Sequence, residues 1–293
     1  MEKDLKYYAK VHSVESFGTV DGPGIRFVLF LQGCHLQCKY CHNRDTWDLN
    51  GGEYKTLDEI FEKIKRYKNY IIPSGGGVTV TGGEPLLQVK FLIKLFKKLK
   101  EEKITTCIDT SGMVSLTEDI KEVLKLTDLV LLDIKHIDNE KCKKLVGVSN
   151  KKELEFAKYL SENNIRMWIR QVLVPGYTDD EKDLLKLKKF ISTLKTVEKI
   201  QILPYHSMGK FKWEKLGVKY ELEGVRDATQ ADVDRAKKIL EIWQTVPVLF
   251  CYCNWYRFFF AILTFGAGSL LQFLAFKHKI LKNTTNFNKS MIK

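Results

Sequence analysis

Between Ile25 and Pro204 the chain repeats one pattern, a short apolar run followed by a charged segment whose apolar residues recur at helical spacing. The runs are IRFVLFL (25–31), GVTV (77–80), ITTCI (104–108), DLVLLDI (128–134), IRMWIRQVLV (165–174) and KIQILP (199–204). Runs this continuous predict strands covered on both faces, the mark of a parallel sheet with crossover helices. The charged segments 57–70, 87–102, 116–126, 151–164 and 179–195 supply those helices. In the second of them Leu92, Leu95, Phe96 and Leu99 form one apolar stripe. Six such units predict an α/β fold, a parallel (β/α)6 barrel left incomplete, with its working residues on the loops after the strands.

The loop after the first run carries Cys34-His-Leu-Gln-Cys38-Lys-Tyr-Cys41-His42. Three thiols within eight residues can converge on one centre. Zinc asks for four ligands, and His42 is the available fourth, but its adjacency to Cys41 makes joint ligation of one ion awkward. The competing reading is a 4Fe–4S cluster held by three thiolates, which leaves one iron open for chemistry. With seven cysteines, an odd number, and a polar start (MEKDLKYYAK), a disulfide framework and a signal peptide are not expected. Reduced thiols and a cytoplasmic location are.

The CxxxCxxC triplet resembles the signature of the radical S-adenosylmethionine (SAM) superfamily. Thr81-Gly82-Gly83-Glu84-Pro85, after the second run, is similar to that family's GGE motif. Longer stretches resemble the activating enzymes of pyruvate formate-lyase: HSVESFGTVDGPGIRF (12–27), CHNRDTWD (41–48), SGGGVTVTGGEPLLQ (74–88), DLVLLDIK (128–135), KLVGVSN (144–150), LEFAKYL (154–160) and LPYHSMGKFKW (203–213). The resemblance runs in order from about residue 11 to 242. It implies a radical SAM-type partial (β/α)6 barrel, a 4Fe–4S cluster and bound S-adenosylmethionine. It further implies a protein substrate, formate acetyltransferase, on which a glycyl radical is installed, and a flavodoxin- or ferredoxin-type electron donor. A radical SAM enzyme acting on another glycyl radical enzyme or on a small molecule, and a non-enzymatic zinc module, are the alternatives.

By the same resemblance, Cys34, Cys38 and Cys41 hold the cluster, while Tyr40 and His42 line the adenine side of the cofactor pocket. Gly82, Gly83 and Glu84 face the methionine end, the glycines admitting backbone close to the ligand and Glu84 adding a counter-charge. Ile134, Lys135 and His136 form the rim after the fourth run, and His206 lies near the ribose. Asp21, in a Gly-Pro-Gly turn, and Arg170 are expected to grip the substrate peptide at the barrel mouth. Asp109, Thr110 and Asp133 match a monovalent cation site. Cys107 and Cys142 lack ligand-like neighbours and read as structural.

The formal charge of +12 is unevenly placed. Residues 246–293 hold six basic residues and no acid, leaving 42 basic against 36 acidic side chains in residues 1–245. No basic run interleaved with aromatics suggests nucleic acid. We expect the activase domain to occupy residues 1–245. The remainder contains nineteen consecutive uncharged residues, 258–276, enough for a membrane-span candidate. The abrupt change of composition near residue 243 reads as a shifted reading frame near the natural end. A genuine membrane or partner anchor and a buried extra element are the other readings, and membrane contact is expected only if the tail is genuine.

Overall fold

The computed structural model describes residue 4 and residues 7–242. The tail 246–293, with its span candidate, lies outside the described residues. Among those described, no helix is long and apolar enough to cross a membrane.

Eight strands form one sheet: β1 (Tyr8–Gly18), β2 (Arg26–Leu31), β3 (Glu53–Thr56), β4 (Gly77–Gly82), β5 (Thr105–Thr110), β6 (Leu129–Asp133), β7 (Met167–Leu173) and β8 (Val197–Pro204). Their order is β3-β1-β2-β4-β5-β6-β7-β8. From β2 to β8 every neighbouring pair is parallel, so the six predicted strands are all present and adjacent. The sheet is not closed, because β3 and β8 lie at its two ends. β1 and β3 add an antiparallel extension beside β2 that the periodicity did not predict.

Helices cover the outer face. In the helix Val89–Glu101, Leu92, Leu95, Phe96 and Leu99 are all fully buried against the sheet. Each such side chain contributes about 1.5–3 kcal/mol of burial, an upper figure because the unfolded chain is already partly compact. Start signals are local: Thr56 and Glu59 close a capping box on Leu57–Lys65, and Thr229 and Asp232 close another on Gln230–Ile239. Asp138 and Asp180 cap Asn139–Val146 and Glu181–Ile191. The predicted helix 57–70 ends at Lys65 and resumes as the short turn Lys68–Ile71.

The inner face is different. Cys107, Leu129 and Leu131 pack together there with Trp168 alongside, and polar and charged groups, among them Thr79, Thr81, Asp109 and Arg170, share that face. Arg26, only 1% exposed, donates to the Thr79 hydroxyl, the Val78 carbonyl and the Thr105 hydroxyl. A second apolar cluster, including Leu36, Cys38, Tyr40, Val146, Tyr205 and Trp213, supports the cysteine loop from below.

Candidate active site

The cysteine loop leaves the C-terminal end of β2, and the Thr81–Pro85 turn leaves β4 beside it. The two are joined through backbone: Gly83 N donates to Leu31 O at 2.9 Å and Glu84 N to Gly33 O at 2.8 Å. Gly82 has φ +114°, and a Cβ on it would collide with the Leu31 backbone. A Cβ on Gly83 would collide with Gly33 O and press on the Cys34 side chain. These glycines therefore let the turn close against the cysteine loop itself. Glu84 is also used internally. Its carboxylate accepts from Thr110 Oγ1 (2.6 Å), Ser111 Oγ (2.7 Å) and Ser111 N (3.1 Å), tying the turn to the end of β5. Burial pushes its pKa up, and those hydrogen bonds oppose the shift.

Cys34, Cys38 and Cys41 are free thiols. Burial pushes all three upward, Cys34 to about 12. The Lys135 ammonium pulls each of them the other way. Among the described residues no set of three His, Cys, Asp or Glu side chains converges tightly enough for a single ion. In an iron–sulfur cubane each thiolate binds a different iron, so the three thiols need not meet at one ion. His42 is directed elsewhere: its Nε2 donates to the His206 carbonyl at 3.0 Å, with the two rings 4.3 Å apart. Burial, then His206, lowers its pKa to about 4, so the ring is neutral.

Around this loop and deeper in the barrel several polar atoms are buried with no hydrogen-bond partner among the described residues: Tyr40 Oη, His206 Nδ1, Asp109 Oδ1, Asp133 Oδ1 and Arg170 Nε. Burying such groups unpaired is costly, and a polar ligand that meets them removes the cost. Three thiols near the Lys135 ammonium, with these unpaired polar atoms on the same barrel, fit a thiolate-ligated cluster and a polar cofactor.

The rim after β6 divides. Lys135 Nζ pairs with Asp133 at 2.9 Å and lies 5.9 Å from the Tyr40 ring centre. Burial works against its charge, but Asp133, then Tyr40 and Cys38, hold its pKa well above the usual lysine range. Ile134 is fully buried in the main core. His136 is also buried, accepting from Asp138 N at Nδ1 and donating to the Tyr177 carbonyl from Nε2.

Deeper in the barrel, Arg170 of β7 pairs with Asp109 of β5, Nη1 to Oδ2, at 2.9 Å. Thr81 Oγ1 donates to the same carboxylate oxygen. The Asp21 turn folds against the inner face, its carbonyl accepting from Thr79 Oγ1 at 2.6 Å. Burial and the nearby Asp109 raise the Asp21 carboxyl to about 6, with Arg170 opposing. Asp21, Asp109 and Arg170 thus form one electrostatic group, while Thr110 serves Glu84. Cys107 sits inside the barrel and Cys142 under the cysteine loop, both fully buried.

Sequence reasoning gave no role to Trp47, Trp213, Lys212 and Glu153. Trp47 Nε1 donates to Cys41 Sγ at 3.3 Å, and Trp213 Nε1 donates to Cys41 O at 3.0 Å. Lys212 holds Asp45 at 3.0 Å, and the fully buried Glu153 accepts from Lys135 N. Only the CHNRDTWD and LPYHSMGKFKW stretches hinted at the first three.

Residues 28–187 match the Radical SAM superfamily model. Pyruvate formate-lyase 1-activating enzyme of Escherichia coli K12 is 48% identical over 238 residues, which span 81% of this chain and 97% of that protein. Pyruvate formate-lyase-activating enzyme of Staphylococcus epidermidis is 52% identical over 244 residues, with the same coverage. The solved structure of Streptococcus suis SuiB bound to precursor peptide SuiA superposes with a TM-score of 0.57 at 21% identity, over 78% of this chain and 46% of that one, a likeness of fold. The chain belongs to the radical SAM superfamily and, within it, to the pyruvate formate-lyase-activating enzymes.

Proposed function

We propose that the chain activates formate acetyltransferase (pyruvate formate-lyase) under anaerobic conditions by generating a glycyl radical on its backbone. The observation that carries this reading is the near full-length match to activating enzymes, on a chain whose three free thiols share one loop above a charged barrel interior. When bound, the reduced 4Fe–4S cluster and S-adenosylmethionine supply methionine and a 5′-deoxyadenosyl radical, the agent that removes a hydrogen atom from glycine.

Residues 1–245 are assigned to this activity. Cys34, Cys38 and Cys41 would hold three irons, leaving the fourth to the amino and carboxylate groups of S-adenosylmethionine. Lys135, Tyr40 and His206 are the side chains with capacity to meet that cofactor. Gly82, Gly83 and Glu84 shape the methionine end by locking the turn to the cysteine loop. His42 sets the His206 segment, and Ile134 and His136 anchor the two ends of the Lys135 bend. Asp21 and Arg170 are assigned to the main chain of the incoming glycine loop, which must be held close to the radical for one C–H bond to be chosen. The unpartnered Asp109 Oδ1 and Asp133 Oδ1, next to Thr110, support a monovalent cation site. A flavodoxin- or ferredoxin-type protein in the cytoplasm is assigned as the electron source.

The test is anaerobic incubation of the iron-loaded protein with reductant, S-adenosylmethionine and formate acetyltransferase, followed by electron paramagnetic resonance. The expected result is an organic radical on the partner that requires S-adenosylmethionine. Cofactor cleavage with no radical on the partner would move the reading to another substrate.

A further inference from the structure

Among the three cysteines of the loop, Cys41 is set apart by its surroundings. Trp47 Nε1 lies 3.3 Å from Cys41 Sγ and donates to it. An indole nitrogen is a donor only, so this contact has one polarity. Cys34 receives a longer contact, from Leu36 N at 3.4 Å.

The indole is held on several sides. The Arg44 guanidinium lies 4.1 Å above its ring, and Trp213 meets it edge-on with ring centres 5.4 Å apart. The turn that carries it, Arg44–Thr46, is fixed by Thr46 donating to Asn43 O (2.7 Å from Oγ1, 2.9 Å from N). Gln32 Nε2 donates to the carbonyls of Asp45 and Asp48. Lys212 clamps Asp45 from the helix Lys210–Lys215. Together these contacts fix the indole with its N–H directed at the Cys41 sulfur.

When the cluster takes up one electron, its net charge becomes one unit more negative and part of that charge falls on the ligand sulfurs. A fixed N–H dipole directed at a sulfur favours the electron-rich state and so raises the reduction potential. We propose that Trp47 is a positioning residue that sets the reduction potential of the cluster through its hydrogen bond to Cys41 Sγ. The inference rests on the reading that Cys34, Cys38 and Cys41 hold the cluster. Trp213→Phe serves as the internal comparison, because it keeps an aromatic ring beside Trp47 while removing an N–H that goes to the Cys41 carbonyl and not to the sulfur.

The experiment is a redox titration of the iron-loaded protein with dithionite, followed by electron paramagnetic resonance, for the parent, Trp47→Phe and Trp213→Phe. A fourth protein carries benzothienylalanine at position 47, an isostere that keeps the ring and lacks the N–H. Iron and sulfide content are measured on all four. In Trp47→Phe and in the isostere, the reduced-to-oxidised ratio at a fixed potential should fall by about threefold or more. The midpoint moves to more negative values, with iron content unchanged in the isostere. Trp213→Phe should keep the parent midpoint. If Trp47→Phe fails to assemble a cluster, the isostere decides. An isostere with full cluster content and the parent midpoint, or an equal shift in Trp213→Phe, overturns the inference. A parent protein that binds no cluster would instead overturn the underlying assignment.

Discussion

Arg170 and Asp109 meet at 2.9 Å inside the barrel, bridging β7 and β5 across the inner face of β6. Arg170 stands in register with Asp133 on β6, so a single cation faces two carboxylates. Asp21 approaches from the β1–β2 turn as a third. The pair ties β7 to β5 and leaves Arg170 Nε and one oxygen each of Asp109 and Asp133 without a partner among the described residues. The proposed recognition role thus falls on side chains that also hold the sheet together, and substitutions there will not separate the two cleanly.

Arg170→Ala should be costly to the fold. Removing the guanidinium leaves Asp109 buried and unpaired, which typically costs about 3–5 kcal/mol. A lower melting temperature is expected for the iron-loaded variant, with part of the loss recovered in Arg170→Met/Asp109→Leu. An Arg170→Ala melt equal to the parent would show that the pair contributes nothing.

Asp21 is the cleaner probe of peptide recognition. Asp21→Ala should keep cluster content and S-adenosylmethionine binding. Its rate of glycyl-radical formation, on the whole partner or on a short glycine-containing peptide, should fall at least about tenfold, equivalent to roughly 1.4 kcal/mol. An unchanged rate removes Asp21 from the peptide site, and an equal loss of cofactor cleavage without peptide reassigns it to the cofactor.

The same carboxyl makes stability depend on pH. Its pKa is about 6 in the folded protein against 3.8 for the free group. The folded state therefore binds this proton more tightly than the unfolded chain, and Asp21 weakens the fold progressively as pH rises from about 4 to about 6. Asp21→Asn cannot ionise. Its melting temperature relative to the parent should rise between pH 5 and pH 7.5, by the equivalent of about 1–2 kcal/mol. A difference that does not change over that range would mean the carboxyl is not perturbed by burial.

Gly83 carries a prediction that the sequence alone would have drawn differently. Read as a ligand-facing glycine, Gly83→Val should spare the cluster and weaken only S-adenosylmethionine binding. Because its Cβ would strike Gly33 O and crowd Cys34, Gly83→Val should lose iron as well. Parallel assays of iron and cofactor binding decide, and full iron content with weak cofactor binding would restore the simpler reading.

Cys34→Ala, Cys38→Ala and Cys41→Ala should each lose iron and all cofactor cleavage. Cys107→Ala and Cys142→Ala should retain both, at a stability cost of about 1 kcal/mol for the lost packing. A motif variant with full iron and full activity would overturn the ligand assignment.

The six parallel strands were legible because each is a continuous apolar run, the one pattern that two-sided burial imposes. β1 and β3 were not, since KVHSVESFG mixes polar and apolar residues on a half-buried strand and EYKT has no apolar alternation. Within the site, the three thiols were legible because their relation is one of local spacing. The contacts of Trp47 and Trp213 with Cys41 were not: Trp213 lies 172 residues away, and Trp47, six residues on, sits past an irregular turn that no periodicity describes. Glu84 was legible as a residue, but its contacts with the end of β5 were not. Its charge suggested a ligand, and only folding brings Thr110 and Ser111 to it. Arg26 was missed outright, since the first residue of a strand gives no sign that it will be buried inside the barrel.

In the proposed reaction this chain moves one hydrogen atom from a backbone glycine of its partner to the cofactor-derived radical. Formate acetyltransferase carrying α-deuterated glycine can be activated with unlabelled S-adenosylmethionine, and the 5′-deoxyadenosine formed can be weighed by mass spectrometry. Deuterium should appear in 5′-deoxyadenosine in proportion to the glycyl radical formed. Unlabelled 5′-deoxyadenosine accompanying a full yield of glycyl radical would contradict that reaction.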